Sequence, residues 1–202
     1  VYVWGNKTDE SAEMVLRASM PLIRCGKIET IKKIPAHSSS MDPSRLKIVV
    51  FGSFHAGKST FIQAIDSGSR HVDADCADGT TTIALDFGKA EIDGRLIHLY
   101  GTPGQERFEF VRQIISNGMD GAILMVDCSC GVDEFTRHLY QQLMDMGVPV
   151  SVMLNKCDLT ESCPAMVRQE LDGAVTYEIS ARDPGSSREA LERFVGTIEK
   201  KR

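Results

Sequence analysis

No apolar run in this 202-residue sequence approaches the roughly 18 to 20 residues that span a bilayer, so no direct membrane insertion is expected. Positive charge is also short. The 23 Lys and Arg are outnumbered by 28 Asp and Glu, for a formal net charge of −5, which argues against a nucleic-acid binder with its basic stripe. None of the six cysteines forms a Cys-x-x-Cys pair, and no His stands at zinc-finger spacing. Reduced, partly buried thiols in a cytoplasmic protein are therefore expected. The opening Val1-Tyr2-Val3-Trp4 is not expected to be a secretory signal, nor Glu199-Lys200-Lys201-Arg202 a prenylation box. What remains is 42% hydrophobic and 25% charged, a globular composition, over a length that suits one domain with an appendage.

Short β-branched runs recur along residues 45–202: Leu46–Phe51, Leu96–Tyr100, Ala122–Val126, Val148–Leu154 and Val175–Ile179. Between them, Phe135–Met146 and Ala190–Ile198 carry apolar residues at helical spacing. Strands alternating with helices predict an α/β fold: a central, mostly parallel sheet with helices on both faces. Thr82–Phe87 and Lys89–Ile92 pair with Leu96–Tyr100 around Asp93-Gly94, which predicts one antiparallel edge strand. Residues 1–44 read as an N-terminal extension: a short helix starting near Thr8, then a linker over Pro35–Pro43.

Gly52-Ser53-Phe54-His55-Ala56-Gly57-Lys58-Ser59 matches G-x-x-x-x-G-K-[ST], follows a predicted strand and opens a predicted helix. Such a loop wraps a chain of phosphates with converging backbone N–H groups. Gly52 and Gly57 allow the backbone angles and close approach, and the helix N-terminus adds positive potential. Lys58 supplies an ammonium for the β- and γ-phosphates, and the Ser59 hydroxyl is a candidate Mg²⁺ ligand.

Asn155-Lys156-Cys157-Asp158 follows the strand that ends at Leu154. Guanine presents two adjacent donors, and one carboxylate accepts both; Asp158 is the candidate. Adenine lacks that pair of donors and would leave the carboxylate unpaired, which argues against an ATP-dependent kinase or ATPase. Asn155 is expected to tie this loop to the phosphate loop, and the Lys156 stem to lie along the base.

Together these motifs resemble those of Ras-like small GTPases within the P-loop GTPase superfamily. Gly52–Ser59, Thr82, Gly101–Gln105, Asn155–Asp158 and Ser180-Ala181-Arg182 follow that family's motif order over residues 45–202. The resemblance implies a three-layer P-loop fold, GTP/GDP with Mg²⁺ as ligands, and slow hydrolysis of GTP. It adds Ala56 and Thr60 to the nucleotide-binding residues, and brings the Ser180-Ala181 backbone to the guanine carbonyl. It makes Thr82 a Mg²⁺ ligand, with Thr81 as an alternative. Gly104 would offer its N–H to the γ-phosphate, and Gln105 would orient the attacking water, acting with Lys58 in catalysis.

Two departures stand out. The family's Asp-x-x-Gly is Gly101-Thr102-Pro103-Gly104 here, a variant that resembles a prokaryotic or archaeal branch. The acid at its first position normally holds Mg²⁺ through a water; Asp86 and Asp78 are candidate substitutes. If the role is vacant, Gly101→Asp should tighten Mg²⁺, unless the new carboxylate repels a phosphate oxygen; if Asp86 or Asp78 fills it, Gly101→Asp should do nothing and Asp86→Asn or Asp78→Asn should loosen the ion. Phe54 replaces a frequent Gly, and it either crowds an incoming arginine or turns outward; His55 beside it reads as a solvated loop residue. Partners are expected through residues 76–87 and 101–112. A nucleotide-bound interaction module with little turnover is the alternative to a working switch.

Overall fold

The computed structural model describes residues 45–75 and 82–200, with no account of the side chains of 72–75, 82–84, 199 and 200. The expected N-terminal helix and linker, Asp78 and Thr81 lie outside the described residues. The chain divides into two compact units, and the description that follows is of the one that holds His37–Asp73 and Ile83–Arg202.

Seven strands form one sheet: β1 (Arg45–Phe51), β2 (Arg70–Asp75), β3 (Thr82–Ile92), β4 (Arg95–Gly101), β5 (Gly121–Asp127), β6 (Val150–Asn155) and β7 (Thr176–Glu178), in the order β2-β3-β4-β1-β5-β6-β7. β1 runs parallel to both β4 and β5, and β5, β6 and β7 continue parallel. β3 returns antiparallel to β4 through Asp93 and Gly94, both at positive φ, as expected of an Asp-Gly hairpin. The expected edge strand is not the edge, however, because β2 lies outside it. β2 reads Arg-His-Val-Asp-Ala-Asp, in which only Val72 and Ala74 alternate with polar residues, too short an apolar signal to mark a strand.

Among the described residues, four α-helices lie between strands and a fifth follows the last one: α1 (Lys58–Ile65), α2 (Glu109–Ser116), α3 (Glu134–Asp145), α4 (Pro164–Glu170) and α5 (Pro184–Lys200). Leu46, Ile48 and Val50 of β1 pack with Phe61 and Ile62 of α1 and Leu191, Phe194, Val195 and Ile198 of α5 in a single buried cluster. Alternation sends Phe51 the other way, towards Arg112 of α2 and Leu139 and Leu143 of α3. The three-layer α/β class is therefore the one expected. β6 begins two residues later than the apolar run because Pro149 has no N–H for the ladder; its carbonyl instead accepts Ala122 N–H at 2.9 Å. α3 starts at an Asp133 cap that accepts Thr136 N–H at 2.7 Å.

This topology sets the site. The parallel strands β1, β5 and β6 end side by side, so the loops after Phe51, Asp127 and Asn155 gather at one rim of the sheet, where ligands of open α/β sheets bind.

Candidate nucleotide-binding site

The turn from β1 into α1 adopts backbone angles that only its sequence makes cheap. Gly52 and Gly57 sit at φ +143° and +99°. A Cβ on Gly52 would stand 2.4 Å from the Met125 carbonyl oxygen, and one on Gly57 would stand 2.2 Å from Asn155 Nδ2. Both positions thus need glycine for conformation and for close approach. His55 is also left-handed, at φ +63°, and the Phe54 ring meets its ring at a tilt of 57° with centroids 3.9 Å apart. Phe54 is 60% exposed.

Asn155 is buried at the end of β6 and joins three segments. Its Nδ2 donates to the Ala56 carbonyl at 2.8 Å, and its Oδ1 accepts from Ala181 N–H at 2.8 Å. One amide thereby registers the phosphate loop, its own base loop and the Ser180-Ala181 turn. The expected tie between base loop and phosphate loop is present, with Ala181 as a further partner. The Ser180 carbonyl accepts Asp183 N–H at 2.9 Å, which starts the turn into α5.

Lys58 is only 8% exposed, and its ammonium donates to the carbonyls of Gly52 at 3.0 Å and Ser53 at 2.7 Å. Burial pulls its pKa down to about 8, although Asp86 nearby partly opposes this. A lysine kept charged against that penalty is poised for an anion. Next to it, Ser59 is exposed and donates its hydroxyl to Asp86 Oδ2 at 2.6 Å. Thr60 is exposed on α1, and Thr82 begins β3.

On the base loop, Lys156 takes φ +64° and its ammonium pairs with Asp127 Oδ2. Asp127 ends β5. Burial would raise its pKa, but hydrogen bonds from Lys156 and from Ser129 outweigh that and hold it below the usual carboxylate range. Asp127 was not among the expected residues, although an acid closing the otherwise apolar Gly121–Val126 was a visible signal. The loop is further held by Cys157 N–H on the Ile179 carbonyl and by Ser162 Oγ on the Lys156 carbonyl. Asp158 is exposed on this loop, where a carboxylate can meet a base edge.

After β4, Thr102 N–H and hydroxyl both donate to the Val50 carbonyl, at 3.0 and 3.1 Å. This carries Gly104 onto the phosphate loop. A Cβ there would come within 2.6 Å of Phe54 N and 2.8 Å of Lys58 Nζ. The buried Arg112 guanidinium grips the next turn, donating to the carbonyls of Pro103 (3.4 Å), Gln105 (2.7 Å) and Glu106 (3.1 Å) while lying 5.0 Å from the Phe135 ring centre. Arg112 was not foreseen. Its signal was a charge on the apolar stripe Phe108, Val111, Ile115. Arg112→Ala should cost about 1–3 kcal/mol in denaturant unfolding and speed hydrogen exchange of residues 103–107, because three carbonyls lose a charged donor. Arg112→Lys should recover only part of this, lacking the planar fork. Equal exchange rates in Arg112→Ala and wild type would count against the clamp.

Among the described residues no group of three or more His, Cys, Asp or Glu could cage a metal alone. The Ser59 oxygen, whose hydroxyl donates to Asp86, does suit Mg²⁺, which is usually bound through one or two protein oxygens plus phosphates.

A phosphate loop between strand and helix, a buried lysine within it and an Asn-Lys-x-Asp loop on the same rim define a P-loop nucleotide-binding protein of the GTPase type. Residues 44–192 match the family model of the elongation factor Tu GTP binding domain, and the chain belongs to that family. It is 33% identical over 119 residues to a Methanocaldococcus jannaschii protein described as uncharacterized, covering 59% of this chain and 75% of that one. It is 34% identical over 144 residues to translation initiation factor IF-2 of Desulfitobacterium hafniense (71% of this chain, 14% of the factor). The mitochondrial IF-2 of Bos taurus is 27% identical over 163 residues (81% of this chain, 22% of the factor). The chain thus spans a fifth or less of these initiation factors' length, or slightly more in the mitochondrial case. The P-loop GTPase superfamily expected from the motifs is the one found, and with it GTP binding and hydrolysis.

Proposed function

We propose that this protein is a small-GTPase-type switch of the cytoplasm, which binds GTP and GDP with Mg²⁺ and slowly hydrolyses GTP to GDP and phosphate. The observation that carries this reading is the Asn155 bridge, which locks a phosphate loop and a guanine-selecting loop into one register. Asp158 takes the two guanine donors, and the Ser180-Ala181 backbone meets the guanine carbonyl. Backbone N–H groups of the loop from Gly52 to Thr60 cradle the phosphates. Lys58 leaves the Gly52 and Ser53 carbonyls for the β- and γ-phosphate oxygens.

Mg²⁺, when bound, neutralises charge on those oxygens, and Ser59 and Thr82 would hold it. Gly104 offers its N–H to the γ-phosphate. Gln105, whose backbone Arg112 fixes, directs a water in line with the bond to be broken. Catalysis is positioning and charge stabilisation, and Arg112 adds nothing to the latter because its guanidinium is committed to carbonyls. Turnover should therefore resemble that of a GTPase without an arginine finger, on the order of 10⁻⁴ to 10⁻³ s⁻¹.

Regulators or effectors would dock on residues 76–87 and 101–112. Phe110 and Ile114, 43% and 54% exposed and one turn apart on α2, support an apolar contact extending from this segment. The free thiols of Cys128, Cys130, Cys157 and Cys163 suit a reducing compartment. Among the described residues no helix is long and apolar enough to cross a membrane.

The test is to identify the nucleotide retained on purification, then to follow single-turnover cleavage of GTP and of ATP with Mg²⁺. Guanine nucleotide retained and slowly cleaved is the expected result. Bound GTP that persists uncleaved would instead make the protein a nucleotide-bound interaction module. Retention of ATP would overturn both.

A further inference from the structure

We propose that Asp86 is the acid that positions the Mg²⁺-binding Ser59 in this protein, supplied from β3 in place of the acid absent from position 101. The inference rests on the Mg²⁺–guanine nucleotide reading above and names a residue within it.

The argument begins with register. Asp86 and Gly101 are directly paired across the antiparallel β3–β4 ladder, at the end of β4 that leads to Gly104 and Gln105. A Cβ built on Gly101 would lie 3.0 Å from Asp86 Cβ and 3.1 Å from Asp86 Oδ2. The space a side chain at 101 would enter is therefore already taken by the Asp86 carboxylate. Two acids cannot both point into it, so glycine at 101 and aspartate at 86 are one arrangement rather than two unrelated features.

The carboxylate is also aimed. Its side chain is 14% exposed, Oδ2 accepts the Ser59 hydroxyl at 2.6 Å, and Oδ1 meets His71 Nδ1 at 2.7 Å. A serine hydroxyl that ligates a cation through its lone pairs must send its proton elsewhere. Asp86 accepts that proton and turns the oxygen lone pairs outward. Groups that orient a ligand in this way typically account for about 10–100-fold in metal affinity.

Gly101→Asp alone is consequently not expected to tighten Mg²⁺, which is the outcome the sequence allows where Asp86 already fills the role. It would force two carboxylates to within contact distance, with crowding and like-charge repulsion. Moving the acid across the ladder in the double variant Asp86→Gly/Gly101→Asp removes the contact with Asp86 and restores one carboxylate beside Ser59, leaving only the tip of Ile62, whose Cδ1 is 3.0 Å from a Cβ at 101, to shift by a few tenths of an ångström.

The test is release of labelled GDP from the full chain, followed against Mg²⁺ concentration and in excess EDTA. Asp86→Asn should raise the Mg²⁺ concentration for half-maximal slowing of release about 10-fold or more, while release in EDTA stays within about 2-fold of wild type. Asp86→Gly/Gly101→Asp should bring the midpoint back to within about 3-fold of wild type, and Gly101→Asp alone should not improve on it. An unchanged midpoint in Asp86→Asn, or a double variant as impaired as Asp86→Asn, would overturn the role of Asp86. If Asp86→Asn does not fold, the double variant decides alone. Wild-type protein that holds GDP with no Mg²⁺ dependence, or does not hold it, would instead overturn the underlying reading and the proposal with it.

Discussion

Lys58→Met should weaken GDP binding by at least ~10²-fold without lowering the stability of the nucleotide-free protein near pH 7. The two halves of that result have different causes. With nucleotide, the ammonium makes charge-assisted hydrogen bonds to phosphate oxygens, each worth roughly 1.5–3 kcal/mol. Without nucleotide, it holds only the Gly52 and Ser53 carbonyls, and the gain is offset by the cost of keeping a charge buried. That cost follows from the pKa. Burial lowers it from 10.5 to about 8, so between those values the unfolded chain binds more protons than the folded one.

Stability of the nucleotide-free protein should therefore rise as pH goes from about 8 to about 10.5. Below about pH 8 the penalty, roughly 3 kcal/mol, is present in full. Denaturant unfolding of wild type and Lys58→Met across this window should show the slope in the first and not in the second. GDP affinity of wild type should fall over the same window, because phosphate is bound by the charged lysine. A Lys58→Met variant that binds GDP normally would mean that the phosphates lie elsewhere.

The other large effect is on base choice. Asp158→Asn should reduce GDP affinity by ~10² to 10⁴-fold, since the amide offers one acceptor and sets an NH₂ against a guanine donor. Xanthosine diphosphate carries a carbonyl at that position and should gain affinity. The loop itself should be undisturbed. Its backbone is held by Cys157 N–H on Ile179 and Ser162 on Lys156, and the Asp158 side chain is exposed. Competition between labelled GDP and xanthosine diphosphate on both variants measures the switch, with far-UV circular dichroism as the control. Equal preference for GDP before and after the substitution would exclude Asp158 as the base reader.

How much of this was legible beforehand differs by the range of the interaction. The sequence alone determined the phosphate loop, the base loop and their order. A phosphate cradle needs glycine at two bends and a lysine at a fixed offset, and a guanine reader needs its acid a fixed step beyond a strand end; these are demands on neighbouring residues. It also determined the buried strands, because β-branched runs such as Leu46–Phe51 have few other stable homes. It did not reveal β2, a mostly polar strand at the sheet edge whose apolar alternation is limited to Val72 and Ala74, nor the short helices α2 and α4.

Only the tertiary structure decided which distant side chains meet. The pairing of Asp86 with Gly101 depends on strand register, in which a shift of one residue would turn the carboxylate to the other face. Lys156 reaches Asp127 because β5 and β6 run parallel and end together, and Arg112 reaches three carbonyls because α2 folds back on the turn that precedes it. Motif chemistry is set by local spacing. The acid beside Ser59 and the clamp beneath Gln105 are set by packing, which brings together residues that no local pattern relates.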